Sequence, residues 1–153
     1  MSARDRSTAR DDARLSDLAS IAAEARRALE EASPLAGGDT IVPARAGLYA
    51  IYSERDAWRK LDLGMPPDRR PLYIGKAEDS LVSRDLRTHF GDGRTGQSTL
   101  RRSFAALLHD ELGLRGIPRN TAKPGYYSNY GLSPAHDADL THWMRERLKL
   151  AGW

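Results

Sequence analysis

Apolar residues recur at helical intervals in several parts of the chain, most clearly near its N-terminus. Spacings of three and four residues there predict an amphipathic helix over about 13–32. The residues of its apolar face are Leu15, Leu18, Ala22, Ala25 and Leu29. Residues 1–12 are polar and follow no period, so we predict a disordered tail there. The chain then divides into this tail, the helix with its linker over 13–36, and a folded domain over 44–153.

Two short runs rich in aromatic and β-branched residues predict β-strands. The first run is Gly47–Tyr52 and the second is Leu72–Gly75, and a helical turn and a loop within Ser53–Arg70 connect them. A third strand is predicted within Tyr126–Leu132, after a loop over Gly116–Pro124.

Helical spacing returns in the second half of the chain and predicts three further helices. One covers about 79–90, and the next begins at a capping residue, Ser98 or Thr99. The last begins at Ser133-Pro134, because proline is favoured in the first helical turn after a serine cap. The apolar side of this last helix comprises Leu140, Trp143, Met144, Leu148 and Leu150.

Composition narrows the classes of protein to consider. The chain has 153 residues, enough for one domain, and it contains no cysteine. Disulfide scaffolds, thiol nucleophiles and cysteine-ligated zinc are therefore excluded. No apolar run approaches the roughly 18 to 20 residues that a membrane helix needs, and the charged start lacks the apolar core of a signal peptide. We therefore predict a cytoplasmic protein that does not enter a membrane.

The net charge of +3 indicates little by itself, but its distribution is uneven. Residues 69–119 carry 10 basic and 6 acidic side chains, an excess of four positive charges. Of the 24 basic residues, 20 are arginine, which binds phosphate groups in a bidentate manner better than lysine does. A GC-rich genome would give the same arginine content without any such function.

The two central predicted strands each place a tyrosine next to a glycine, in Gly47-Leu48-Tyr49 and in Tyr73-Ile74-Gly75-Lys76. If the strands pair, the two phenols lie near one another at the sheet surface. The side chains that follow on the later helices are Arg84, Arg87, His89, His136, Asp137 and Asp139. Tyrosine, lysine, arginine, histidine and an acid together are typical of a site that cleaves phosphodiesters, because the reaction needs a proton acceptor and cations on the phosphate.

These motifs resemble those of the GIY-YIG nuclease family, whose two namesake tripeptides appear here as GLY at 47–49 and YIG at 73–75. The resemblance continues through the SRDLRTHF stretch at 83–90 and covers roughly 47–150. It implies an α/β fold with a small, three-stranded, mostly antiparallel sheet flanked by helices. It also implies a divalent-metal-dependent endonuclease that hydrolyses DNA phosphodiester bonds.

The resemblance also implies roles for individual residues. Tyr49 would be the general base, although a free phenol has a pKa of about 10 and needs a neighbour to ease proton loss. Lys76 is placed to help it, and Tyr73 would hold the phosphate or the water. The alternative for both tyrosines is that they fill the core as strand aromatics.

The arginine that clamps the scissile phosphate is shifted in this chain. Relatives carry it at the position of Asp85, so Arg84 is our first candidate and Arg87 its substitute, each with a solvated helix face as the alternative. His89 would support the attacking water or bind the phosphate; a half-buried packing residue is the alternative.

The metal ligand differs from the family pattern. Relatives hold one divalent ion through a glutamate on a late helix, but this chain has no glutamate between Glu111 and Glu146. Asp137 is therefore the first candidate and Asp139 the second, for a single Mg²⁺ or Mn²⁺ ion. Asp137 could instead stabilise the N-terminus of its own helix.

A glycine-rich, basic loop over 93–102 enters a helix N-terminus, an arrangement that binds phosphate. Arg94, Arg101 and Arg102 in this loop, together with Arg87, are predicted to contact the DNA backbone, and the sequence leaves RNA open as a substrate. The N-terminal helix is a candidate for homodimer formation or for binding another protein. Two alternatives to an active nuclease follow: a nucleic-acid-binding module with a weak or inactive site, and a protein-interaction scaffold.

Overall fold

A computed structural model describes residues 3–31, 35–36, 42–65, 70–126 and 129–153. The fold is mixed α/β, as predicted, and consists of four α-helices, one π-helix, one short 3₁₀ helix (Thr95–Gln97) and six strands within these residues. The helices are α1 (Ala3–Glu31), α2 (Arg55–Lys60), a π-helix (Val82–His89), α3 (Thr99–Leu107) and α4 (Pro134–Arg147). The strands are β1 (Leu35–Ala36), β2 (Gly47–Ser53), β3 (Tyr73–Ala77), β4 (Gly116–Pro118), β5 (Tyr130–Leu132) and β6 (Leu148–Gly152).

The main sheet has four antiparallel strands in the order β1-β6-β2-β3, where three strands were expected. The extra central strand, β6, contains Leu148 and Leu150, which the helical pattern had assigned to the last helix. That assignment was wrong, because both leucines are buried while Lys149 between them is exposed, the alternation of a strand. The helix ends at Arg147 instead.

The strand predicted near the end of Tyr126–Leu132 exists as β5, but it does not join the main sheet. It pairs with β4 in a separate two-stranded ribbon. All three residues of β4 are exposed, so the segment lacks the apolar alternation that marks a strand and was predicted as a loop.

The two faces of the main sheet are covered differently. The π-helix, α3 and α4 pack on one face, where the largest cluster of buried apolar side chains lies. On the other face, Leu29 of α1 packs against Ala50 and Ala151, and the hydroxyl of Tyr52 donates to the Leu29 carbonyl at 2.8 Å. Tyr49 and Tyr73, which pack in this larger cluster, therefore lie on the face opposite α1.

Helix α1 begins at Ala3, so the disordered tail expected over 1–12 was wrong for residues 3–12. Extending an existing helix costs little once it is nucleated, and an apolar period is not needed for it. Only Ala25 and Leu29 of the predicted apolar face are buried, whereas Leu15 and Leu18 are more than 60% exposed. The rest of the proposed division, a helix and linker over 13–36 and a domain over 44–153, stays a prediction.

Candidate active site

An open cleft of about 770 Å³ lies beside strand β3, at the edge of the main sheet. Its walls come from β2, from β3 and the turn that follows, and from the π-helix. The polar side chains in its wall are Tyr49, Tyr73, Lys76, Glu78, Arg84 and Thr88. Four of the five predicted catalytic residues thus line one cleft. The fifth, His89, lies outside the cleft wall and contacts the hydroxyl of Tyr49.

The glycine of the second motif makes room for the tyrosine of the first. Tyr49 and Gly75 are paired across β2 and β3, and the Tyr49 ring lies directly over the Gly75 backbone. A methyl group at Gly75 would overlap the Tyr49 phenol, so only glycine fits this position. Strand pairing therefore explains why tyrosine and glycine occur together in these motifs.

His89 contacts the phenol hydroxyl of Tyr49 from the buried side of the cleft wall. It is fully buried at the end of the π-helix, with Nε2 2.7 Å from the Tyr49 hydroxyl and Nδ1 2.8 Å from Ser98 Oγ. Burial, together with the positive charges of Arg84 and Arg101, lowers the pKa of His89 from 6.5 to about 4. The imidazole is therefore neutral at pH 7.

Ser98 is the partner that sequence reasoning missed. Ser98 and Thr99 were the two predicted caps of α3, and the structure shows that Ser98 is the cap: its Oγ accepts from the Arg101 N–H at 3.1 Å. Its second contact, with His89, joins residues nine positions apart through the turn between two helices. A capping motif contains no signal for such a contact.

Tyr73 and Lys76 differ in where they point from β3. Tyr73 is half-buried, with its ring centroid 5.9 Å from that of Tyr49. Lys76 lies on the opposite, exposed face of the strand, where its Nζ donates to Glu78 at 2.7 Å. This hydrogen bond and the Glu78 charge raise the pKa of Lys76, so the ammonium stays protonated and bound to Glu78.

Of the two candidate arginines, Arg84 is in the cleft wall, and Arg87 is exposed outside it. The Arg84 charge is close enough to lower the pKa of both His89 and Glu78. The π-helix that carries these residues is a form found often at functional sites, and its wider turns change which side chains share a face.

The predicted metal ligand, Asp137, is instead part of a buried ion pair. Its Oδ1 accepts from Arg101 Nη2 at 2.6 Å and from the Gly93 N–H at 2.8 Å, and its Oδ2 accepts from the Thr95 N–H at 3.2 Å. Protein donors therefore bind both carboxylate oxygens, and the side chain is only 4% exposed. The prediction that Asp137 holds a metal ion is therefore wrong.

The prediction that Arg101 contacts DNA is wrong for the same reason. Its side chain is fully buried, and besides Asp137 it donates to the His89 carbonyl at 2.9 Å and to Thr141 Oγ1 at 2.8 Å. Burial lowers the pKa of Arg101, and the Asp137 charge opposes that shift. The pair joins the end of the π-helix to α3 and α4 and holds His89 in place.

The structure offers no replacement set of metal ligands among the residues it describes, where no group of three or more histidine, aspartate or glutamate side chains is close enough to hold an ion. Asp139 is exposed on α4 and is not part of the cleft wall. The residues chosen for Mg²⁺ or Mn²⁺ therefore do not fit that role.

The glycine-rich loop carries a separate group of arginines. Arg94 is exposed and donates to Gln97 at 3.0 Å, while Arg102 is half-buried and donates to the Gly96 carbonyl at 2.9 Å. Arg119, which sequence reasoning missed because it lies in a distant segment, donates to the same carbonyl at 2.6 Å. Three cations thus surround one loop.

Comparison with known proteins gives one finding. A family model described as the GIY-YIG catalytic domain matches residues 47–152, which is more than two thirds of the chain. No curated protein and no solved structure matches the chain. Among the described residues, no helix has both the length and the apolar character needed to cross a membrane.

Proposed function

The chain belongs to the GIY-YIG catalytic-domain family, and from this premise we propose that it is an endonuclease that hydrolyses phosphodiester bonds in DNA. Family membership implies a nuclease-type function with a nucleic acid substrate. The observation that carries the proposal is the buried contact between Tyr49 and His89, made by a tyrosine that lines the same cleft as Tyr73 and Arg84.

In the proposed reaction, water attacks the phosphorus in line with the leaving oxygen. Tyr49, after losing its own proton to solvent, takes the proton of that water as the phenolate, and the neutral imidazole of His89 holds the phenol oxygen by a hydrogen bond. Solvent in the open cleft protonates the leaving oxygen. The Tyr73 hydroxyl orients the water or the phosphate. Arg84 binds the non-bridging oxygens, on which negative charge increases in the transition state.

Metal dependence needs separate treatment, because nucleases of this family generally use a divalent ion. The carboxylate proposed for that purpose is bound to Arg101, so the mechanism above contains no step through a metal. Whether DNA cleavage requires Mg²⁺ or Mn²⁺ is therefore measured directly, by comparing nicking in each ion with nicking in EDTA.

We place the DNA backbone along the glycine-rich loop. Arg94 and Arg102 lie there, Arg119 donates to the same Gly96 carbonyl as Arg102, and Arg87 is exposed on the π-helix. The uneven charge distribution over 69–119 supports this position, since phosphate binding depends on such local excess.

A nucleic-acid-binding module without cleavage is the second candidate function. One observation favours it: the acid that would complete a metal site is engaged in an ion pair. Cytoplasmic localisation, RNA as a substrate, and a partner or second copy at the exposed leucines of α1 stay predictions.

A plasmid nicking assay separates the two functions. Wild type is incubated with supercoiled DNA in Mg²⁺, in Mn²⁺ and in EDTA, and a gel shift is run on the same samples. Nicking supports the endonuclease, whereas a salt-sensitive shift without nicking in any condition supports the binding module. If the protein neither nicks nor shifts the DNA, the result would favour a protein-interaction scaffold.

A further inference from the structure

We propose that Ser98 is a positioning residue: its hydroxyl donates to His89 Nδ1 and so fixes the tautomer in which Nε2–H donates to the phenol oxygen of Tyr49. The catalytic consequence rests on the proposed function. The hydrogen-bond assignment itself does not, and it can be measured in a protein that cleaves nothing.

The argument starts from the hydrogen bonds of Ser98, whose side chain is fully buried. A hydroxyl has one proton to donate and two lone pairs that accept. One lone pair accepts the Arg101 N–H at 3.1 Å, as required for capping α3. The other contact of Ser98 Oγ is His89 Nδ1 at 2.8 Å.

Two tautomers of His89 fit these distances, and they differ in what they leave unpaired. If Nδ1 carried the proton, Ser98 Oγ would accept twice, and its own proton would have no acceptor among the described residues. A buried donor without an acceptor is unfavourable. If Nδ1 is unprotonated, Ser98 donates to it, and the phenol proton of Tyr49, which then no longer has His89 as its acceptor, is directed to the cleft that Tyr49 lines and Ser98 does not.

The second tautomer determines what His89 does to Tyr49. The proton is then on Nε2, 2.7 Å from the phenol oxygen, so the imidazole donates and the phenol accepts. A donor at this oxygen favours the phenolate, the form that can take a proton from water. The low pKa of His89 is consistent with a neutral ring at pH 7, and only a neutral imidazole has two tautomers.

Arg101 fixes the geometry from two directions. Its backbone N–H holds Ser98 Oγ, and its guanidinium holds the His89 carbonyl at 2.9 Å. The other charged or titratable groups that face this chain of contacts are Arg84 from the π-helix, Asp137 from α4 and Tyr73 from β3.

The direct test is the nitrogen chemical shifts of the His89 ring in the intact protein, measured by long-range ¹H–¹⁵N correlation at pH 7. We expect an unprotonated Nδ1 and a protonated Nε2 in wild type. The same pattern is expected in Ser98→Thr, which keeps the hydroxyl. A protonated Nδ1 in wild type would overturn the proposal and leave the proposed nuclease function standing.

The kinetic test uses a matched pair of cap variants. Ser98→Ala removes both the cap and the hydrogen bond to His89, whereas Ser133→Ala removes a cap of the same kind from α4, outside the cleft wall. We expect Ser98→Ala to lower the nicking rate about tenfold at pH 7 and to move the pH–rate midpoint upward, because phenolate formation loses its donor.

Ser133→Ala and Ser98→Thr should keep the wild-type midpoint. An equal effect of Ser98→Ala and Ser133→Ala would mean that Ser98 acts only as a cap, and would overturn the proposal. If wild type nicks no DNA at all, the proposed function fails, and the nitrogen shifts still decide the role of Ser98.

Discussion

The phenol oxygen of Tyr49 and Nε2 of His89 lie 2.7 Å apart, in a buried pair that joins strand β2 to the end of the π-helix. The two residues are 40 positions apart in the chain. Because both are buried, their hydrogen bond is not weakened by competition with water. Tyr49, whose side chain type is a weak base in solution, thus has a fixed partner buried behind the cleft wall.

The first prediction concerns pH. Unfolded His89 binds a proton below pH 6.5, but folded His89 does so only below about pH 4, so the unfolded state binds more protons between these values. Stability should therefore fall as the pH drops from 6.5 to 4, by about 3 kcal/mol for this residue. Urea unfolding at several pH values measures it.

His89→Gln should remove this part of the pH dependence, whereas His142→Gln, on an exposed surface of α4, should retain it. Equal slopes for wild type and His89→Gln would show that His89 is protonated in the folded protein.

The second prediction concerns the buried ion pair. Asp137→Ala leaves the Arg101 charge buried without its partner and should lower the free energy of unfolding by about 3 to 5 kcal/mol. Glu146→Ala, which breaks an exposed contact with His142 on the same helix, should change it by less than about 0.5 kcal/mol. Similar unfolding curves for the two variants would contradict a structural role for Asp137.

The third prediction concerns the close approach at Gly75. Gly75→Ala should push the Tyr49 ring aside, cost about 1 to 3 kcal/mol of stability and slow nicking at least about 100-fold. Gly125→Ala is the control, since a methyl group there would meet no atom within 4 Å. Wild-type activity in Gly75→Ala would mean that the position of the phenol is unimportant.

The fourth prediction separates Arg84 from Arg87. Arg84→Ala should lower the single-turnover rate at saturating protein by about 10²-fold or more, because a cation at the phosphate is lost from the transition state. Arg87→Ala should leave that rate unchanged and weaken only salt-dependent binding. The reverse result would assign the phosphate clamp to Arg87.

Features of the fold that depend on neighbouring residues could be predicted from the sequence. Ser98 and Ser133 cap their helices as expected, because a cap is a contact across three residues. Strands β2 and β3 also follow from their aromatic and β-branched runs. The family match over 47–152 confirms the resemblance that the two tripeptides indicated.

Features that depend on distant contacts could not be predicted. Leu148 and Leu150 fit the last turn of a helix as well as a strand, and pairing with β2 decides between them. The sequence pattern of an aspartate in a first helical turn is the same whether its carboxylate binds a metal ion or a buried arginine. For Asp137, the position of Arg101 on another helix settles the matter.

The central claim is that Tyr49 is the proton acceptor in DNA cleavage, and a comparison of two tyrosines on one strand tests it most directly. Tyr49→Phe removes the hydroxyl that contacts His89, and Tyr52→Phe removes the hydroxyl that donates to Leu29 on the opposite face of the sheet. The measurement is the single-turnover nicking rate of supercoiled plasmid by each variant. We predict a loss of at least about 100-fold for Tyr49→Phe and a rate within about threefold of wild type for Tyr52→Phe. Wild-type cleavage by Tyr49→Phe would contradict the claim.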